Sequence, residues 1–145
     1  MPSTTRAALL QWPDLADART KALVWIVRPG PQVLLLKRPD RRGAGEHPVT
    51  GKADAGESPA QCAAREAREE TGLDGELVDL ELAHHYRGKK GDFEEHAFLL
   101  RTGKDAEPQL SDEHVAYRWV SPDEARAAVR WKAHRDALDL ALKVF

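Results

Sequence analysis

The sequence predicts an α/β (α+β) chain, with a mixed β-sheet sandwiched between α-helices, and three stretches carry that expectation. Two apolar runs, Lys21 to Val27 and Gln32 to Arg38, flank an Arg-Pro-Gly-Pro break and read as a hairpin of strands. Ser58, Pro59 and Gln61 open a helix that Gly72 closes. Ser121-Pro122-Asp123-Glu124 is a second capping box, so helical layers are available to cover a sheet. A length of 145 residues suits one domain, taken as residues 1–145 with a loose N-terminus at 1–8.

Composition narrows the classes further. With 41% hydrophobic and 32% charged residues and no long polar tract, the chain is globular. A net charge of −2 argues against gripping a nucleic-acid backbone, which requires a basic patch. No stretch approaches the roughly 20 apolar residues of a membrane span, and no signal-peptide core is expected. The single cysteine, Cys62, has no internal disulfide partner and reads as a small packing residue of the helix. These features suggest a cytoplasmic protein with neither a nucleic-acid polymer nor a membrane as partner; a homodimer is left open.

In order, residues 39–48 are rich in Gly, Pro and charge and read as a loop at the rim of a site, with His47 available to a ligand. Gly51 and the Gly56-Glu57 pair are expected in a tight loop before the helix. After it, Glu76 to Tyr86 and Glu94 to Arg101 read as strands joined by a basic turn bearing Arg87, Lys89 and Lys90. Those cations read as edge solubility or as phosphate contacts. His84, His85 and His96 lack the regular spacing of a transition-metal site and read as ordinary strand residues. Ser111 to Val120 runs from an acidic loop into a short strand, followed by a helix to about Val129. Trp131 to Phe145 reads as a last helix with Leu138, Leu142 and Phe145 on one stripe, its aromatic and aliphatic residues packed in the core.

The chemistry concentrates in the helix at 59–71. At 3.6 residues per turn, Glu69 and Glu70 lie roughly 60° and 40° around the axis from Glu66, so three carboxylates share one face. Like charges at such spacings cost an isolated helix about 0.2–0.5 kcal/mol per pair. Two explanations are open: a solvated face balanced by Arg65 and Arg68, or a site for Mg²⁺, a hard ion that takes oxygen ligands. Ala60, Ala63, Ala64 and Ala67 line the opposite face and let the helix press closely on a neighbouring backbone.

Gly51, Glu57, Arg65-Glu66, Glu69-Glu70, Thr71, Gly72 and Leu73, in their spacing, reproduce the signature that identifies the Nudix hydrolases, and the chain resembles that family over essentially its whole length. Ala67 stands where the family carries a larger aliphatic residue. The resemblance implies the Nudix α/β/α sandwich and a hydrolase of diphosphate-containing small molecules that uses Mg²⁺, with Mn²⁺ as an allowed substitute. It implies metal ligands at Glu66, Glu69, Glu70 and Glu113, with Arg65 holding a carboxylate such as Glu57 in place. The Glu113 segment, the preceding Val49-Thr50-Gly51 and the later Trp131 and Arg135 resemble the dihydroneopterin triphosphate pyrophosphatase branch. By that likeness Arg38, Thr50 and Gly51 face substrate, and Glu113 is a metal ligand or the general base. The branch has an aromatic pair ahead of its Val-Thr-Gly; Gly45-Glu46-His47 stands there instead. Three functions are compatible: a hydrolase of a nucleoside or pterin di- or triphosphate, a hydrolase of dinucleoside polyphosphates or nucleotide sugars, and a catalytically silent nucleotide-binding module. Nothing local in the sequence fixes the direction of Glu113.

Overall fold

In chain order the computed structural model gives β1 (Arg19–Arg28), β2 (Gln32–Lys37), β3 (Glu46–His47), β4 (Val49–Lys52), α1 (Pro59–Thr71), β5 (Glu76–Gly88), β6 (Gly91–Arg101), β7 (Ala116–Val120), α2 (Pro122–Ala128) and α3 (Lys132–Val144). It describes residues 19–39 and 45–145. The N-terminus expected to be loose and residues 40–44 of the 39–48 loop lie outside the described residues.

The fold class is the one the sequence predicts. Seven strands form one mixed sheet in which β1 is central: it runs parallel to β6 and antiparallel to β2 and β4. β1 is buried on both faces, as its unbroken apolar run requires. Its odd positions Leu23, Trp25 and Val27 pack with Ala125 of α2, with Val129 just after it, and with Ala137, Leu138 and Ala141 of α3. Its even positions Ala22, Val24 and Ile26 pack with Cys62, Ala63 and Ala67 of α1. Strand alternation thus builds two cores, one under each helical layer. The Trp25 indole Nε1–H, buried with its ring, donates to the His134 carbonyl at 2.9 Å and ties α3 to the central strand.

Four expectations are corrected. Residues 46–47 form β3, because the edge of β2 offers backbone groups that Leu36–His47 and Lys37–Glu46 pairing satisfies. Gly51 lies in β4, paired with Ala22, instead of in a loop. The basic turn after β5 is shorter than expected, since the ladder runs through to Gly88 opposite Gly91. The aromatic residues of the last helix are not core: Trp131 is 56% and Phe145 37% exposed, whereas Leu138 is fully buried. Trp131 precedes the first turn and Phe145 follows the last, so neither shares the buried stripe. Among the described residues no helix is long and apolar enough to cross a membrane.

α1 has the bounds its sequence predicts, because both ends are fixed locally. The Ser58 hydroxyl accepts from Gln61 N–H at 3.1 Å while the Gln61 side chain accepts from Ser58 N–H at 2.9 Å. Gly72 closes the helix at φ 70°, a left-handed conformation that glycine adopts without a Cβ penalty. Ser58→Ala is expected to lower the unfolding free energy by about 1 kcal/mol, with Ser58→Asn close to wild type. Denaturant unfolding of the three proteins checks this, and an unchanged midpoint for Ser58→Ala would contradict it.

Candidate functional site

The site forms where α1 lies across β4. An ideal Cβ on Gly51 would stand 1.6 Å from Glu66 Oε2, so this helix–strand approach admits only glycine. Cys62, one turn earlier on the helix, places its thiol 3.7 Å from the Gly51 carbonyl. Burial pushes that thiol up to about 11, so it is a packing group and not a nucleophile.

Arg65 gathers the acids. Its Nε–H and Nη2–H donate to the two oxygens of Glu57 at 2.7 and 2.9 Å, the planar fork matching one carboxylate. Nη1–H donates to Glu66 at 2.7 Å and Glu69 at 3.0 Å, and Nη2–H also reaches the Lys52 carbonyl at 2.9 Å. The guanidinium holds the Glu57 carboxyl down at about 2.

Glu70 receives none of this compensation. It is 3% exposed, and neither of its oxygens has a hydrogen-bond partner. Burial first, then the facing Glu66 carboxyl and Glu113, push it from 4.5 up to about 9, against the pull of Arg38. Burial raises Glu66 as well, opposed by Glu70 and Arg65.

The segment 109–115 is fastened from outside its own sequence neighbourhood. Gln109 N–H donates to the Thr71 carbonyl, Ser111 N–H to the Glu70 carbonyl and Val115 N–H to the Lys37 carbonyl. This bridge between the end of α1 and the end of β2 brings ligand atoms of Glu70, Glu113 and His114 within 4.8 Å of one another. Sequence reasoning missed His114, although it directly follows Glu113 and was signalled by that position. Its side chain is fully buried, with Nε2 3.7 Å from Glu70 Oε1. Burial, then Arg38, lowers it to about 4, so at neutral pH it faces Glu70 uncharged.

His47 is also buried, its ring 5.0 Å from that of His114. Its Nδ1 lies 2.6 Å from the Pro48 carbonyl, which only accepts, so the ring proton belongs on Nδ1. Nε2 is then a bare buried acceptor.

Of the residues singled out by sequence, Glu57, Arg65, Glu66 and Glu69 meet in one network, and Glu70 and Glu113 meet beside it. Glu69 sits at the rim, its side chain 59% exposed and its carboxylate on Arg65. Arg38 is half-buried just past β2, where its charge acts on Glu70, His47 and His114. Thr50 and Gly51 are separated by strand alternation: Gly51 pairs with Ala22 on the α1 face, Thr50 with Leu23 on the α3 face.

A sheet sandwiched between helices, with a carboxylate-bearing helix laid over a glycine of one strand, defines the class. Residues 17–141 match the NUDIX domain family, and the chain belongs to it. Among solved structures, the E. coli dihydroneopterin triphosphate pyrophosphohydrolase superposes with a TM-score of 0.77 at 23% identity, over 88% of this chain and 99% of that one. A C. elegans Ap4A hydrolase complex gives 0.75 at 23% identity over 88% and 97%. At these identities the likeness is one of fold. Among sequence relatives, an octanoyltransferase of Myxococcus xanthus is 36% identical over 129 residues, 85% of this chain but 36% of that protein. The asymmetrical bis(5'-nucleosyl)-tetraphosphatase of Mus musculus is 33% identical over 99 residues, 63% of this chain and 65% of that protein. The chain therefore spans about a third of the first relative and just under two thirds of the second.

The Glu70 shift has a direct consequence for stability. Above pH 4.5 the unfolded chain has released a proton that folded Glu70 retains, so the contribution is complete below about 4.5 and is lost as pH rises through about 9. Metal-free protein is expected to lose thermal stability steadily between those limits, and Glu70→Gln to flatten the slope. A Tm series in chelator checks this; equal slopes in both proteins would remove Glu70 as the cause.

Proposed function

We propose that the chain is a divalent-metal-dependent pyrophosphohydrolase that cleaves a phosphoanhydride bond in a nucleotide derivative. The single observation that carries the proposal is Glu70: a carboxyl 3% exposed, facing a second carboxyl, without a donor on either oxygen. A folded chain keeps such a group where a cation offsets it.

The residues fit a Mg²⁺-type ion. Glu66, Glu70 and Glu113 offer oxygen donors, as hard ions require. Glu69 stands at the rim, where its Arg65 contact is exposed and exchangeable. Bound there, a divalent ion supplies neutralisation of phosphate charge and a lowered pKa for attacking water. The protein's own part is positional. Arg65 holds Glu57 and Glu66 through hydrogen bonds, and the missing side chain of Gly51 makes room for the Glu66 carboxylate. Arg38, whose charge acts on Glu70 and His114, takes phosphate oxygens through its fork of donors on this reading. Glu113 is exposed and free to serve either as a ligand or as the base that takes the water's proton.

For the substrate, the relatives named as bis(5'-nucleosyl)-tetraphosphatases in mouse and rat favour a dinucleoside polyphosphate over a pterin triphosphate. Their 33–36% identity exceeds that of the pterin enzyme, whose likeness is in fold. The cytoplasmic setting expected from the sequence belongs to the same proposal.

Hydrolysis of a panel comprising diadenosine tetraphosphate, nucleoside triphosphates and nucleotide sugars is expected to vanish in chelator and return with Mg²⁺ or Mn²⁺. Full turnover in chelator after removal of bound metal would rule the mechanism out. Glu70→Gln is expected to lower turnover by about two orders of magnitude or more, in keeping with loss of a group acting on charge in the transition state. Glu113→Gln separates its two roles. A base loses turnover alone, whereas a ligand also shifts the Mg²⁺ requirement, and wild-type values for both would make Glu113 a bystander.

A further inference from the structure

On the other face of the sheet, strand pairing collects a second set of charges, of opposite sign. Arg19 stands opposite Phe93, and Lys21 stands opposite both Lys52 and Glu95. Cross-strand partners share a face, here the face of Leu23 and Trp25 that packs against α3. Three cations converge on the Phe93 ring: Arg19 Cζ at 6.0 Å from its centroid, Lys21 Nζ at 5.5 Å and Lys52 Nζ at 5.5 Å. Tyr86 stacks on that ring with centroids 5.5 Å apart, and its hydroxyl accepts from Lys21 Nζ at 3.1 Å.

The acids do not balance these cations. Lys21 faces buried Glu95 at 3.9 Å. Among the described residues no ion pair joins a carboxylate to Arg19, Lys52 or Lys90. Desolvation, then the charges of Lys90, Arg19 and Lys21, hold the Lys52 ammonium below its ordinary value, which places the hairpin-tip Lys90 in the same field. Like charges held this close repel one another until an anion joins them.

The geometry also selects the kind of ligand. Cations and Tyr86 already surround the Phe93 ring, so a flat heterocycle finds its stacking surface occupied. The ammonium and guanidinium donors, in contrast, suit the oxygens of phosphate. The patch also adjoins the carboxylate site. The Lys52 carbonyl accepts from Arg65, and Gly51, the preceding residue, lies against Glu66 on the opposite face of the same strand.

From this arrangement we infer that Arg19, Lys21, Lys52 and Lys90 form an anion-binding arm for phosphate groups beyond the bond to be broken. The arm selects substrates that carry three or more phosphates in a row. This rests on the phosphoanhydride reading above and adds to it a place and a set of residues for the rest of the phosphate chain.

Inorganic tripolyphosphate is the probe, titrated calorimetrically into the full chain in chelator at low salt. With chelator present no metal at the carboxylate site can hold the anion, so binding reports on the cation patch. Wild type is expected to bind, with affinity falling steeply as salt is added. Lys52→Gln/Lys90→Gln is expected to weaken binding by about 10-fold or more, a loss of the size that removing charged contacts produces. Lys52→Arg/Lys90→Arg, which keeps the charges, is expected to retain it; the side chains are exposed, and circular dichroism confirms that each variant is folded. No binding by wild type, or equal binding by the Gln variant, overturns the arm. Binding that depends on the patch in a protein that hydrolyses no phosphoanhydride supports the arm and sinks the proposed function. Hydrolysis by a protein whose tripolyphosphate binding ignores the patch does the reverse.

Discussion

The Arg65 guanidinium is the contact on which the rest of the site depends, because it decides which carboxylates are neutralised and which is left. Its fork is spent on Glu57, Glu66, Glu69 and the Lys52 carbonyl, all within 3.0 Å. An exposed ion pair contributes little, but Arg65 is partly buried and joins a loop acid, a helix edge and a strand backbone in one network. That network fixes α1 against β4 at the one place where Gly51 allows the approach. Glu70, one turn along the helix from Glu66, lies beyond its reach. The result is a rim of compensated acids around one buried carboxyl that has no partner, a division of charge that identical side chains on one helix face do not predict on their own.

Strand alternation gives the same few residues a second use. Within β4, Gly51 turns to the α1 face and Thr50 and Lys52 to the α3 face, so adjacent residues serve opposite sides of the sheet. The acidic and basic groups at this end are therefore close along the chain yet separated by the thickness of one strand. They do not neutralise one another. Glu95 and Lys21 are where they do meet: Glu95 is buried, and Lys21, partly exposed, reaches it at 3.9 Å.

What was legible in the sequence was what short-range chemistry fixes. The limits of α1 follow from Ser58, Gln61 and Gly72, all within the helix or next to it, and the structure reproduces them. The β1–β2 hairpin follows from apolar runs around a turn. β3 and β4 were not legible, because a two-residue strand and a glycine-bearing one exist only through partners elsewhere in the chain, Leu36 and Lys37 for one and Lys21 to Val24 for the other. The same holds for Glu113 and His114. Their direction comes from backbone bonds to Thr71, Glu70 and Lys37, residues between 38 and 78 positions away from their partners. Burial of His114 could not be read from a loop of acids and serines for the same reason.

The burial that leaves Glu70 without a partner also couples any cation at the site to a proton. While the site holds no cation, the raised carboxyl keeps its proton through neutral pH. A carboxyl that ligates must first lose that proton, so on the proposed function metal uptake and proton release are one exchange. Apparent affinity for the ion then rises with pH until Glu70 is ionised on its own. Glu57, held low by Arg65, does not add to that exchange. Burial raises Glu66 in the same direction as Glu70, so both carboxyls enter that exchange, while Arg65 keeps Glu57 out of it.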